Sequence, residues 1–216
     1  MKKVAIIGAG ISGLFIANLF KKNPYYQITI YEKNTSVALE EGYGVQLSIN
    51  SIKILNEIGF KKLENNEKFN PEKIDFYSNE NSNKICDLDI SDFNSEDCKY
   101  TTLKRSSLIN FLKADLEDLI KTGYNISKIN QQDKQIKLSF ENEEEKECDY
   151  LIISDGVFSK SKSLISKSEI KPKYNNTLAI RGILNKSPDN IDSKNITLFL
   201  GSDFHHVIYP VSPNGD

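Results

Sequence analysis

The sequence predicts an α/β fold in which a parallel, helix-flanked sheet is interrupted, and then followed, by antiparallel β-structure. Three observations predict it. The first 33 residues alternate strand, glycine-rich turn, helix and strand; residues 73 to 90 read as a hairpin; and beyond Ser168 strand patterns follow one another without helices.

KVAIIG (3–8) is a short, apolar, β-branched run, and ISGLFIANLFK (11–21) carries apolar residues at helical spacing. A turn signal at Asn23 and Pro24 precedes QITIYEK, a second strand whose last acid is Glu32. The unit reads β-α-β within about 30 residues, which suits a parallel sheet. Ile52, Ile54, Leu55, Ile58 and Phe60 predict an amphipathic helix over 51–63, closed near Gly59, and 108–120 predicts another. IDFYS and KICDLDI, separated by the polar NENSN, predict an antiparallel hairpin. KQIKLSF and CDYLIIS are two more strands, with the acidic ENEEEKE between them read as a solvated turn. TLAIRGIL, NITLFLG and HHVIYPV are expected as strands of an all-β piece, with turns at SPDN and SPNG. The sequence stops at Asp216 directly after SPNG, where a further strand is expected, and so reads as cut short.

The 28 basic and 30 acidic residues are well mixed and leave a formal net charge of -2, which argues against nucleic acid or anionic lipid as a partner. The apolar stretches are too short or too interrupted by glycine to span a bilayer, and the N-terminus lacks the cleavage pattern of a signal peptide. A soluble cytoplasmic protein with no stable membrane insertion is expected; oligomer formation stays open. Cys86, Cys98 and Cys148 stand at long, unrelated spacings and the two histidines are adjacent, so neither a metal site nor a disulfide framework is expected.

Chemistry enters with Gly8-Ala9-Gly10-Ile11-Ser12-Gly13. The first glycine permits a tight turn, the second lets a pyrophosphate approach the backbone, and the third allows close packing of helix on strand. The helix that begins here presents unpaired N–H groups and a positive dipole end to phosphate. Glu32, a little over 20 residues on and followed by Lys33, is placed to accept hydrogen bonds from ribose hydroxyls. The pattern is common to NAD and FAD proteins.

Three further segments give a family resemblance. Gly42-Tyr43-Gly44-Val45-Gln46-Leu47-Ser48-Ile49-Asn50 and the helix IKILNEIGF resemble the GxGIxLxPN segment of the single-component FAD-dependent aromatic hydroxylases, with Ile49 where proline is usual. Arg105-Ser106-Ser107-Leu108 is similar to their RxxL helix start, whose arginine reaches the FAD pyrophosphate. DYLIISDGVFS (149–159) resembles their DG motif, with Ser154 for the common alanine and Lys162 for the usual arginine. Taken alone, Gly42 and Gly44 also read as loop glycines, Arg105 as a surface residue and Asp155-Gly156 as a turn dipeptide.

The resemblance implies a Rossmann-like, glutathione-reductase-type FAD-binding domain over 1–72 and 101–168. It also implies a substrate domain made of a β-hairpin over 73–100 and an incomplete sheet over 169–216. It implies FAD held by Gly8, Gly10, Ile11, Ser12, Gly13, Glu32, Lys33, Gly44, Val45, Arg105, Asp155 and Gly156. NADH or NADPH would serve as co-substrate, with O2 hydroxylating a small aromatic or phenolic ring. Arg181, His206 and Tyr209 match segments that face the flavin or substrate, although Arg181 also reads as a solvated strand residue and the two histidines as merely alternating across a sheet. Gly215-Asp216 follows a turn instead of an apolar strand and is not read as the family's second Gly-Asp signature. Without that signature the 216 residues are expected to be the N-terminal part of a longer enzyme, binding FAD weakly and inactive alone. Two other readings remain: another FAD oxidoreductase, of the geranylgeranyl-reductase or halogenase kind, and a non-catalytic dinucleotide-binding module.

Overall fold

The computed structural model describes residues 1–37, 43–184 and 191–213. In chain order its elements are β1 (Lys2–Ile7), α1 (Ile11–Lys21), β2 (Tyr26–Glu32), β3 (Gly44–Leu47), α2 (Ile49–Asn56), β4 (Lys73–Ser78), β5 (Lys84–Asp89), β6 (Thr101–Lys104), α3 (Arg105–Lys113), β7 (Ile120–Thr122), β8 (Ile126–Gln132), β9 (Gln135–Phe140), β10 (Glu145–Cys148), β11 (Tyr150–Ile153), α4 (Lys160–Ser166), β12 (Ile196–Leu200) and β13 (His205–Ile208). They divide into two compact units, Met1–Glu40 with Ile109–Ala179, and Glu41–Leu108 with Ile180–Asp216.

In the first unit β11, β1, β2 and β7 form a parallel sheet in that order. β1 is central, and Val4, Ala5, Ile6 and Ile7 are all buried, as an inner parallel strand covered on both faces requires. α1 returns the chain between β1 and β2 and buries Leu14 and Ala17. A second, antiparallel sheet of β10, β9 and β8 supplies Ile126, Leu138, Phe140 and Cys148 to a core shared with Ala5, Ile7 and Tyr31. The rings of Tyr31, Tyr124 and Phe140 meet there with centroids 4.8 to 5.2 Å apart. Cys148 reaches this core from β10, and burial pushes its thiol up to a pKa of about 11.

In the second unit the expected hairpin β4–β5 joins β12 and β13 in one sheet of order β13-β12-β4-β5. β12 runs parallel to β4, so this sheet is mixed and not purely antiparallel. Asp75 on β4 is buried and held by Lys84 at 2.7 Å and by the Asn195 amide at 2.8 Å. β3 and β6 form a separate antiparallel ribbon.

Four expectations are corrected. The helix expected over 108–120 ends at Lys113, and Ile120–Thr122 is a strand, because the open edge of β2 offers it ladder bonds from Ile30 to Glu32. The helix over 51–63 ends at Asn56; Gly59, at φ +92°, turns the chain into a short 3-10 turn that buries Phe60. The last three residues of ENEEEKE belong to the strand β10, in which Glu145 and Glu147 are exposed while Cys148 faces the core. TLAIRGIL is not a strand: no described strand pairs with it, and Leu178 and Ile180 are 83% and 91% exposed. An extended segment without a ladder partner leaves its backbone groups to water. SPDN and the end of SPNG lie outside the described residues. Among the described residues no helix is long and apolar enough to cross a membrane, and no group of three or more His, Cys, Asp or Glu is placed to hold a metal ion.

Candidate functional site

β1, β2 and β11 are parallel and in register, so the segments that follow them leave the sheet along one edge. These segments are the glycine turn, Lys33 with Asn34, and Ser154-Asp155-Gly156. In open α/β sheets this carboxyl-terminal edge is where ligands bind.

The three glycines are required for different reasons. Gly8 has φ +100°, and a Cβ there would lie 2.4 Å from the Ser154 carbonyl oxygen. A Cβ on Gly13 would lie 2.0 Å from the Gly8 carbonyl oxygen. Both positions are closed by backbone. A Cβ on Gly10 would meet nothing within 4 Å, and Gly10 has an ordinary extended conformation with φ -79°. Packing inside the unit therefore demands the outer two glycines and leaves room at the middle one. Gly10 is also the N-cap of α1, and no side chain caps its first turn. Free N–H groups and open space fit a pyrophosphate. Ile11 is half-buried and Ser12 exposed at the same helix start.

Glu32 is 9% exposed, and its carboxylate closes the turn. Oε2 accepts the Ala9 N–H at 2.9 Å and Oε1 accepts the Asn34 N–H at 2.9 Å. A carboxylate has about four acceptor positions, so two remain for ribose hydroxyls. Lys33 beside it is exposed. At the end of β11, Asp155 Oδ2 accepts the Ser161 N–H at 3.0 Å, while Oδ1 is buried without a hydrogen-bond partner. An orphaned acceptor of this kind fits a ligand hydroxyl. Gly156 has φ +80°, and Ser159 caps α4 by accepting the Lys162 N–H. Asp155, Gly156, Ser159 and Lys162 line a cavity of about 490 Å³.

The second unit brings Arg105 and Arg181 to the ring of Tyr43, and Tyr209 to the neighbouring Gly44. A Cβ on Gly44 would lie 2.7 Å from the Tyr209 ring and from Val211, so the glycine lets that ring rest on β3. Val45 pairs with Leu103 across the ribbon. The Arg105 N–H donates to the Tyr43 carbonyl at 2.9 Å, and its guanidinium lies 5.8 Å from the Tyr43 ring centroid. The Arg181 guanidinium is 4.9 Å from the same centroid. Burial raises the pKa of the Tyr209 phenol against the opposing pull of Arg181 and Gln46. His206 belongs to another group: it is exposed on β13, opposite Phe199, with its ring 5.2 Å from Phe204. Sequence reasoning singled out neither Tyr100 nor any role for Gln46 or Tyr43, which lie inside or opposite a quoted segment. Gly42 and Gly215-Asp216 lie outside the described residues.

No family model matches the chain. It is 23% identical over 224 residues to 6-hydroxynicotinate 3-monooxygenase of Bordetella bronchiseptica, covering 99% of this chain and 56% of that protein. It is 23% identical over 217 residues to 3-amino-4-hydroxybenzoate 2-monooxygenase of Streptomyces cremeus, covering 97% and 54%. A variant of HpxO from Klebsiella pneumoniae, solved with FAD, superposes with a TM-score of 0.84 at 15% identity, over 99% of this chain and 55% of that one. The chain thus spans just over half the length of these relatives. Fold and relatives together point to the single-component FAD-dependent hydroxylase superfamily, with a Rossmann-like core and appended β-sheets.

Proposed function

We infer that the chain is the flavin-binding part of an FAD-dependent monooxygenase that uses NADH or NADPH and O2 to hydroxylate a small aromatic ring. The observation that carries its dinucleotide-binding part is the open middle glycine, flanked by two that backbone contacts close; the likeness to monooxygenases and to a fold solved with FAD supports the rest. Gly10 and the uncapped start of α1 would receive the pyrophosphate; Arg105 is proposed, as the resemblance implies, to offer its guanidinium to the cofactor. Glu32 would accept from ribose hydroxyls while keeping the turn shut, and Asp155 Oδ1 would accept from a further hydroxyl of the cofactor. Gly8, Ile11, Ser12, Gly13, Lys33, Gly44, Val45 and Gly156 complete the proposed FAD contacts.

Bound FAD would supply the redox chemistry, taking hydride from the nicotinamide and activating O2. The protein's part is to orient the ring to be hydroxylated, and Arg181, His206 and Tyr209 are the proposed substrate-side residues. The two curated relatives are named for hydroxylated aromatic acids, which supports the same class of ligand here.

The test is turnover by the protein expressed from its natural gene and loaded with FAD. Hydroxypyridines or hydroxybenzoates are expected to accelerate NADH or NADPH oxidation and to emerge with an added oxygen atom by mass spectrometry. Flavin-loaded protein whose nicotinamide oxidation ignores every such ring would overturn the reading.

A further inference from the structure

α4 and the chain on either side of it carry a charge that the molecule as a whole does not. Between Val157 and Ala179 stand Lys160, Lys162, Lys167, Lys171 and Lys173 against the single acid Glu169, in a chain of formal net charge -2. Glu141 holds Lys160 and Glu169 holds Lys171. Lys162, Lys167 and Lys173 are exposed and make no ion pair among the described residues. Large apolar side chains are exposed between them. Val157 and Phe158, which follow the turn at Gly156, are 76% and 83% exposed, and Ile165, Tyr174 and Leu178 are exposed as well. Ile153, Lys162 and Ile165 line one cavity, so an ammonium and two isoleucines share the same hollow. Apolar groups on show and rimmed by charge mark a contact surface.

The chemistry of the side chains selects the partner. Every cation of this stretch is a lysine, a compact ammonium on a flexible apolar stem, with none of the planar forks that grip phosphate bidentately or stack on bases. Val157, Ile165 and Leu178 are aliphatic and give a nucleic-acid strand nothing to stack on. An anionic bilayer takes both kinds of group: its headgroups attract the lysines, and its acyl boundary accepts the apolar side chains. Lysine stems lie along apolar surface while the ammonium stays in water.

We propose that Val157 to Ala179, all within the first unit, is a peripheral docking face for a bilayer rich in anionic lipid. Val157, Phe158 and Ile165 enter the acyl boundary, and Lys162, Lys167 and Lys173 meet the headgroups. The balanced charge that speaks against such a partner is an average over the chain, and this stretch departs from it. Docking of this kind needs no spanning helix, and among the described residues none is long and apolar enough to cross a membrane. Neither flavin nor nicotinamide takes part, so the inference stands apart from the proposed function.

The chain contains no tryptophan, so Phe158→Trp puts a single fluorophore on the face. With vesicles of phosphatidylcholine holding about a third phosphatidylglycerol, its emission should shift to the blue and be quenched by brominated acyl chains. Pure phosphatidylcholine should do neither, and raised salt should reverse the binding. In flotation of the wild-type chain with the same vesicles, Lys162→Gln, Lys167→Gln and Lys173→Gln should each weaken binding about fivefold. Phe158→Ser should weaken it at least as much, and Lys53→Gln, in the second unit, should not; folding of each variant is checked by denaturation. The proposal is overturned if anionic vesicles leave the emission unchanged, or if Lys53→Gln weakens flotation as much as the lysines of the face. It is overturned too if those lysines bind a poly-deoxythymidine strand while the vesicles stay bare, which assigns the face to nucleic acid. Failure of the protein expressed from its natural gene to float is equally decisive, because the face is then covered by protein.

Discussion

Each glycine of the Gly8–Gly13 turn answers to a different neighbour, and their substitutions should separate accordingly. Gly8→Ala forces a side chain into φ +100° and against Ser154, and Gly13→Ala drives one into the Gly8 carbonyl. Each is expected to cost about 2 kcal/mol or more, read as a lowered denaturant midpoint. Glu32→Ala strips the buried Ala9 N–H and the Asn34 N–H of their acceptor and should cost on the order of 2 kcal/mol, even without any ligand. These residues were legible in the sequence because the motif is local, with every spacing fixed by one turn and one helix. The pairing of Tyr100 with Gln46 was not: the two stand 54 positions apart and meet only because β3 lies against β6. Nor does the sequence show that Glu32 locks the turn by accepting from Ala9 and Asn34.

Elements were legible where hydrophobic period and length agreed. β1, α1, β2 and the β4–β5 hairpin lie where the pattern put them. β7 and β10 were misread because what makes them strands is an available neighbour, the edge of β2 for one and β9 for the other, and not their own composition. β10 carries a testable consequence. The Cys148 thiol ordinarily ionises near 9.0, and burial raises it to about 11 in the folded chain. Burial therefore favours the neutral thiol, and its contribution is whole below pH 9 and fades as the pH climbs towards 11. The stability gap between wild type and Cys148→Ala should narrow over that window, measured by denaturation at stepped pH. Alkylation should reach exposed Cys86 first and Cys148 last.

At the scale of the whole molecule, two compact units alternate along one chain, and each holds part of what the resemblance assigns to the flavin. The segment from Ser168 to Leu184 passes from one unit to the other without regular structure, and Tyr174, Leu178 and Ile180 on it are exposed. Limited trypsin digestion should cut first at Lys173 or Arg181, leaving the compact units intact at early times. The most direct measurement is an FAD titration of wild type beside Gly10→Val, each first checked by denaturation. The substitution is expected to change stability by no more than about 1 kcal/mol, since the added side chain meets no protein atom at its root. The account predicts saturable FAD binding by wild type, weakened at least about tenfold in the variant. Wild type that does not bind FAD, or a variant that binds it equally well, would contradict the claim that Gly10 is kept open for the cofactor.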